Sequence, residues 1–118
     1  GGVIGGVIKA DLSDRAFQEG AALPPVRAVG DIKPPALVKR VEPAYPDIAR
    51  ANRNKGTVIL EIVTDVYGKV ISAKVLRSVS NLDQAAIDAV KQWIYKPLLV
   101  EGKPRSCIFT VTVVFELR

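Results

Sequence analysis

The sequence predicts an α+β domain of two layers: a three-stranded antiparallel sheet with helices on one face, in the order helix, strand, strand, helix, strand. Three observations predict it. The apolar residues of the last two thirds switch between helical spacing, a near-continuous β-branched run and strict alternation. Six of the eight prolines fall between Pro24 and Pro46, and six of the nine glycines precede Asp31. The chain has 118 residues, room for one ordinary domain.

The breakers divide the chain into a Gly/Pro-rich flexible linker over 1–36 and a folded domain over 37–118. The linker holds four basic and four acidic side chains, so the whole net charge of +5 sits in the domain. It opens on a repeat, Gly1-Gly2-Val3-Ile4 then Gly5-Gly6-Val7-Ile8. Eight residues, half of them glycine, are too few for a bilayer span, which takes about 20 apolar residues, and no signal-peptide pattern is visible. Asp11 to Gly20 has the makings of a short helix behind Ser13. Pro24-Pro25 and Pro34-Pro35 stiffen the chain into extended stretches.

Within the domain, Tyr45 to Arg53 reads as a short helix with Pro46 at its first position, where no amide bond is lost. Thr57 to Thr64 is almost entirely Val, Ile and Leu with only Glu61 charged, the pattern of a central strand. Asp65 to Lys69 is a tight loop in which Gly68 supplies a positive φ, and Val70 to Leu76 is the return strand. Ser80 or Asn81 caps the second helix, with Asp83 in its first turn. Leu82, Ala86, Ala89 and Trp93 form its apolar stripe, and Pro97 marks its end. The last strand alternates cleanly: Cys107, Phe109, Val111, Val113, Phe115 and Leu117 share one face.

Composition excludes several functions. There is no His and one Cys, so imidazole-based catalysis, His-rich zinc sites and an internal disulfide are out. Asp65, Asp83 and Asp88 have ordinary places in a hairpin, a helix start and a solvated helix face, and no phosphate-binding glycine loop is present. No enzyme, cofactor or metal site is expected. The basic residues are scattered, without the exposed aromatics of a nucleic-acid surface. Trp93 and Tyr95 read as core residues, and Cys107 as a small buried hydrophobe.

The two sheet edges differ. Lys69, Lys74 and Arg77 guard the return strand, whereas Cys107 to Phe115 has no Lys, Arg, Pro or Gly and offers an unguarded row of amides and carbonyls to another strand. A linker segment or a second copy of the domain covering that edge stays open as the alternative. On the capture reading, Val113→Pro is expected to abolish binding of an added strand and Lys74→Ala to leave it unchanged.

An ordered set of motifs then becomes specific. Tyr45-Pro46 with Ala49-Arg50, Gly56-x-Val58, Asp65-x-x-Gly68-Lys69-Val70, Leu82-Asp83-x-Ala85-Ala86 and Ala89-Val90-x-x-Trp93-x-Tyr95-x-Pro97 follow one another. Together they resemble the C-terminal domain of TonB-type energy transducers, over roughly residues 37–118. The resemblance implies a non-enzymatic periplasmic domain, anchored in the inner membrane by an N-terminal helix absent from this stretch and energised by a proton-driven motor complex there. Such a domain grips the TonB box of an outer-membrane transporter by β-strand addition and passes on force that drives import of iron chelates, vitamins or sugars.

It further implies that the box pairs within Thr110, Val111, Thr112, Val113, Val114, Phe115 and Glu116. Ala44, Tyr45 and Pro46 are the second implied contact. Many members carry Gln before the Tyr-Pro pair, tied to recognition; here Ala44 stands in its place. The plainer reading of Tyr45 and Pro46 is packing at a helix start. A scaffold or sensor domain of the same fold, without force transduction, is the rival function. A monomer and a strand-swapped homodimer are both compatible with the sequence, and the chain reads as a fragment of a longer protein.

Overall fold

The structure, a computed structural model, describes residues 10–117; the expected glycine repeat at 1–8 lies outside the described residues. In chain order the elements are α1 (Asp14–Ala21), β1 (Val26–Arg27), β2 (Leu37–Lys39), α2 (Asp47–Ala51), β3 (Gly56–Thr64), β4 (Val70–Arg77), α3 (Asp83–Val90), β5 (Ile94–Tyr95), β6 (Leu98–Val100), β7 (Lys103–Arg105) and β8 (Cys107–Phe115).

β3 is central, as its apolar run requires. It pairs antiparallel with β4 on one side and with β8 on the other, in unbroken register from Thr64↔Cys107 to Gly56↔Phe115. Alternation then sends Val58, Leu60 and Ile62 to one face together with Cys107, Phe109, Val113 and Phe115. Ala49 of α2, and Leu82, Ala86 and Val90 along α3, close over that face. Each fully buried Leu, Ile or Val removed from water stabilises the fold by about 1.5–3 kcal/mol. The two-layer α+β class is therefore as the periodicities predict.

Details differ, each for a physical reason. The sheet has four strands, in the order β1-β8-β3-β4, because Val26–Arg27 adds in parallel beside Cys107 and Ile108. Neither expected residue caps α3: Leu82 occupies the cap position, and the Asp83 carboxylate reaches back instead, accepting from the Val79 amide at 2.9 Å and from the Ser78 hydroxyl. Asn81 takes a positive φ of 64° and donates to Asn54 Oδ1. α3 also stops at Val90, well short of Pro97. Its end tightens, with Gln92 N bonding Ala89 O and Trp93 N bonding Val90 O. Trp93 leaves the helix but stays in the core, where its indole N–H donates to Val41 O at 2.8 Å and Arg40 lies over the ring. Ile94–Tyr95 becomes β5, paired with β2.

The stretch expected as linker packs on the domain at several points of its described part. Ser13 caps α1, its hydroxyl accepting from Ala16 N. Asp11 N bonds Gly102 O at 2.8 Å, and the Phe17 ring stacks on Tyr67 at 4.7 Å. At Gly20 a Cβ would stand 2.0 Å from the carbonyl oxygen of Pro104, so only glycine lets α1 lie this close to β7. Further on, Arg105 Nη2 donates to Pro24 O.

Tyr95 carries a pH dependence. Burial pushes its hydroxyl up from 10.0 to about 12, against the opposing pull of the Arg40 charge. A phenol whose pKa is raised on folding binds its proton more tightly in the native state. Its contribution to stability is whole below pH 10 and is lost as pH rises toward about 12. Thermal melts between pH 9 and 12 should fall more steeply for the native chain than for Tyr95→Phe; parallel curves would show that the hydroxyl is not desolvated.

Candidate functional site

β8 has two backbone sides, and alternation assigns every residue to one of them. Val26 N donates to Ser106 O and Ala28 N to Ile108 O, both at 3.0 Å. The even-numbered residues of β8 therefore direct their amides and carbonyls away from β3. The odd-numbered residues direct theirs toward it, which agrees with the continuous β3–β8 register. Beyond Ile108 no strand lies on the outer side of β8, away from β3, among the described residues. The free main-chain positions are thus Thr110, Thr112 and Val114, all exposed, continuing to Glu116 just past the strand.

This sorts the sequence-expected residues. Val111, Val113 and Phe115 lie in the same strand but turn their main-chain groups to β3, and the Val113 and Phe115 side chains are buried. The expectation that a proline at Val113 acts on an added strand is corrected by this register: Val113 faces Val58. The linker-covered edge, one of the alternatives left open above, holds for the first two residues of β8 and not for the rest.

Tyr45 is brought to the end of that edge. Its ring meets Phe115 edge-on at 5.6 Å, Arg50 lies over it at 5.5 Å, and its hydroxyl donates to Asn54 O. With Glu42, Pro43, Val114, Phe115 and Glu116 it lines a shallow groove alongside the strand end. Ala44 and Pro46 do not join this groove. They face the other way and, with Glu42, line a second depression against Ala85, Asp88, Ala89 and Gln92. The triplet therefore splits, because consecutive residues of an extended segment point to opposite sides.

The opposite edge is charged. Lys74 lies opposite Glu61 on β3, and Arg77 ends the strand. Sequence reasoning missed β1 as part of the site. The signal was present: Val26 and Ala28 alternate between Pro25 and Gly30, a short extended run with breakers at both ends.

Comparison with known proteins follows this geometry closely. The family model for the Gram-negative bacterial TonB protein C-terminal domain matches residues 41–117. Protein TonB of Vibrio cholerae is 40% identical over 86 residues, which are 70% of this chain and 35% of that protein. Protein TonB of Xanthomonas campestris is 35% identical over 77 residues, 64% of this chain and 34% of that protein. The chain spans about a third of the length of these curated relatives. The solution structure of the Pseudomonas aeruginosa TonB C-terminal domain shares the fold with a TM-score of 0.53 at 24% identity, over 69% of this chain and 84% of that one. As the sequence led one to expect, this is a non-enzymatic fold family. A matching family model over most of the chain, on a sheet with one guarded and one open edge, leaves a single assignment: the chain belongs to the family of TonB protein C-terminal domains.

Proposed function

We propose that this domain is the gripping end of a TonB-type energy transducer, and that it takes hold of outer-membrane transporters by pairing their TonB-box segment with the outer side of β8. In this reading a longer protein carries an inner-membrane anchor and couples to a proton-driven motor complex. The domain works on the periplasmic side and transmits force without chemistry. No helix among the described residues is long and apolar enough to cross a membrane; in this reading the anchor belongs to another segment of the longer protein.

One observation carries the reading: among the described residues, no strand lies beside the outward main-chain groups of Thr110, Thr112, Val114 and Glu116. Ladder bonds contribute about 0.5–1.5 kcal/mol net each. Three or four pairs of groups thus suit a moderate, reversible attachment. Because the main chain does most of the bonding, transporters with different side chains in the box can share one domain. Tyr45 adds an aromatic wall at the end of the edge.

An amide NMR titration with a synthetic TonB-box peptide tests this. Shifts and slowed exchange at Thr110, Thr112 and Val114 are expected. Lys74→Ala, on the guarded edge, should bind the same peptide within twofold of the native chain (about 0.4 kcal/mol). Shifts confined to other surfaces would favour a scaffold domain with a different partner, and a large loss in Lys74→Ala would place capture on β4.

A further inference from the structure

We infer that the N-terminal arm is a ruler on the partner-binding edge: by occupying the positions beside Ser106 and Ile108 it limits a captured strand to the seven residues Thr110–Glu116. The chain then holds a short extended segment fully and gains nothing from a longer one. The inference rests on strand capture at β8 as proposed above, and concerns what bounds it.

The arm meets the edge and leaves it abruptly. Val26 and Ala28 donate to Ser106 O and Ile108 O at 3.0 Å. The chain then folds back on itself, with Val29 N bonding Arg27 O at 2.9 Å and Ile32 N bonding Val29 O at 3.1 Å. Residues 31–34 next run against Leu98–Glu101, so among the described residues the arm contributes nothing beside Thr110 and beyond.

Two paired residues alone would yield to a competing strand, since a short pairing is worth little in water. This pairing is held from both faces by other contacts. The Arg27 guanidinium crosses β8 to Glu61 on β3 at 3.5 Å. Arg105 holds the Pro24 carbonyl, Phe17 stacks on Tyr67, and Gly20 is seated on Pro104. A strand invading past Thr110 must break the ladder and the Arg27–Glu61 pair, against an arm that α1, seated on Pro104 and Tyr67, keeps beside the edge to compete. An invading strand that stops at Thr110 breaks nothing.

The test uses synthetic TonB-box peptides of seven residues and of eleven, the longer ones extended at either end, measured by calorimetry with amide exchange. On the native chain all should bind with Kd values within twofold, with the Ala28 amide staying protected. Val26→Pro removes one arm donor, and Gly20→Val drives α1 off Pro104 from a distance; both should expose the Ala28 amide. In both, the seven-residue peptide should bind as to the native chain. One of the eleven-residue peptides should bind about 5- to 160-fold more tightly, the gain of two net ladder bonds.

Tighter binding of an eleven-residue peptide to the native chain, with loss of protection at Ala28, would overturn the ruler while leaving capture standing. Equal binding of both lengths to the arm-released variants would do the same. Failure of every peptide to protect Thr110, Thr112 and Val114 would remove the capture reading and the ruler with it. The native-chain comparison decides even if a variant does not fold.

Discussion

Val114→Pro weakens capture of a TonB-box peptide by about tenfold or more and leaves the domain folded. Val114 is 53% exposed and its amide faces away from β3. Proline is tolerated on an edge strand when the lost donor faces solvent. The substitution removes one donor from the middle of the free edge and puts a ring where a partner backbone must approach, so peptide affinity should fall by about tenfold or more. The melting temperature should move by only a few degrees. Val113→Pro behaves oppositely. Val113 is fully buried and its amide faces Val58 across the central ladder, so proline there breaks a β3–β8 ladder bond and leaves a buried carbonyl unpaired, at a cost of about 1–3 kcal/mol. Calorimetric titration of both variants beside their thermal melts separates the two effects. Native-like binding by a folded Val114→Pro chain would show that strands do not add to this edge.

That pair of neighbours also shows what a sequence can and cannot carry. The alternation from Cys107 to Phe115 fixes which side chains face the core, because burial has a period of two. The main-chain direction has the same period but leaves no compositional mark, and only the partner on the far side reveals it. Here that partner is Val26–Arg27, 81 residues away in the chain. The two central pairings were legible because β3 is apolar enough to demand cover on both sides. The end of α3 was not: Leu82, Ala86, Ala89 and Trp93 are all buried at helical intervals, yet Trp93 reaches the core from a turn. Its bond to Val41 O and the pairing of β5 with β2 are distant contacts that outweigh local spacing. The arm reads as a linker in the sequence for a similar reason. Its composition is that of a tether, and its docking depends on distant matches such as Gly20 to Pro104 and Phe17 to Tyr67 that composition does not register.

Gly68→Ala should be the most damaging small substitution in the hairpin, for a reason beyond the turn itself. The loop is built by Asp65, whose carboxylate accepts from the amides of Tyr67 and Lys69 at 2.9 Å, and Gly68 sits in it at a φ of +90°. An alanine in a left-handed conformation costs about 1–2 kcal/mol. The second cost is larger. A Cβ at this position would stand 2.0 Å from the carbonyl oxygen of Tyr95 and 2.7 Å from its carbon, and both atoms are main chain. They cannot rotate away, because Gly68 O accepts from Tyr95 N at 3.0 Å and ties β5 to the loop. Relief requires β5 to lift off, carrying with it the buried Tyr95 ring that packs edge-on against Phe109 at 5.0 Å. The expected loss is about 3 kcal/mol or more, a drop in melting temperature of roughly 12 °C or more for a domain of this size. Gly30→Ala is the matched comparison: its φ is +60°, but nothing lies within 4 Å of the added carbon. Only the conformational cost applies there. If the two variants melt together, the approach of β5 to the hairpin is not the rigid contact that the geometry describes; if Gly68→Ala falls well below, the contact between loop and β5 is what the glycine is for.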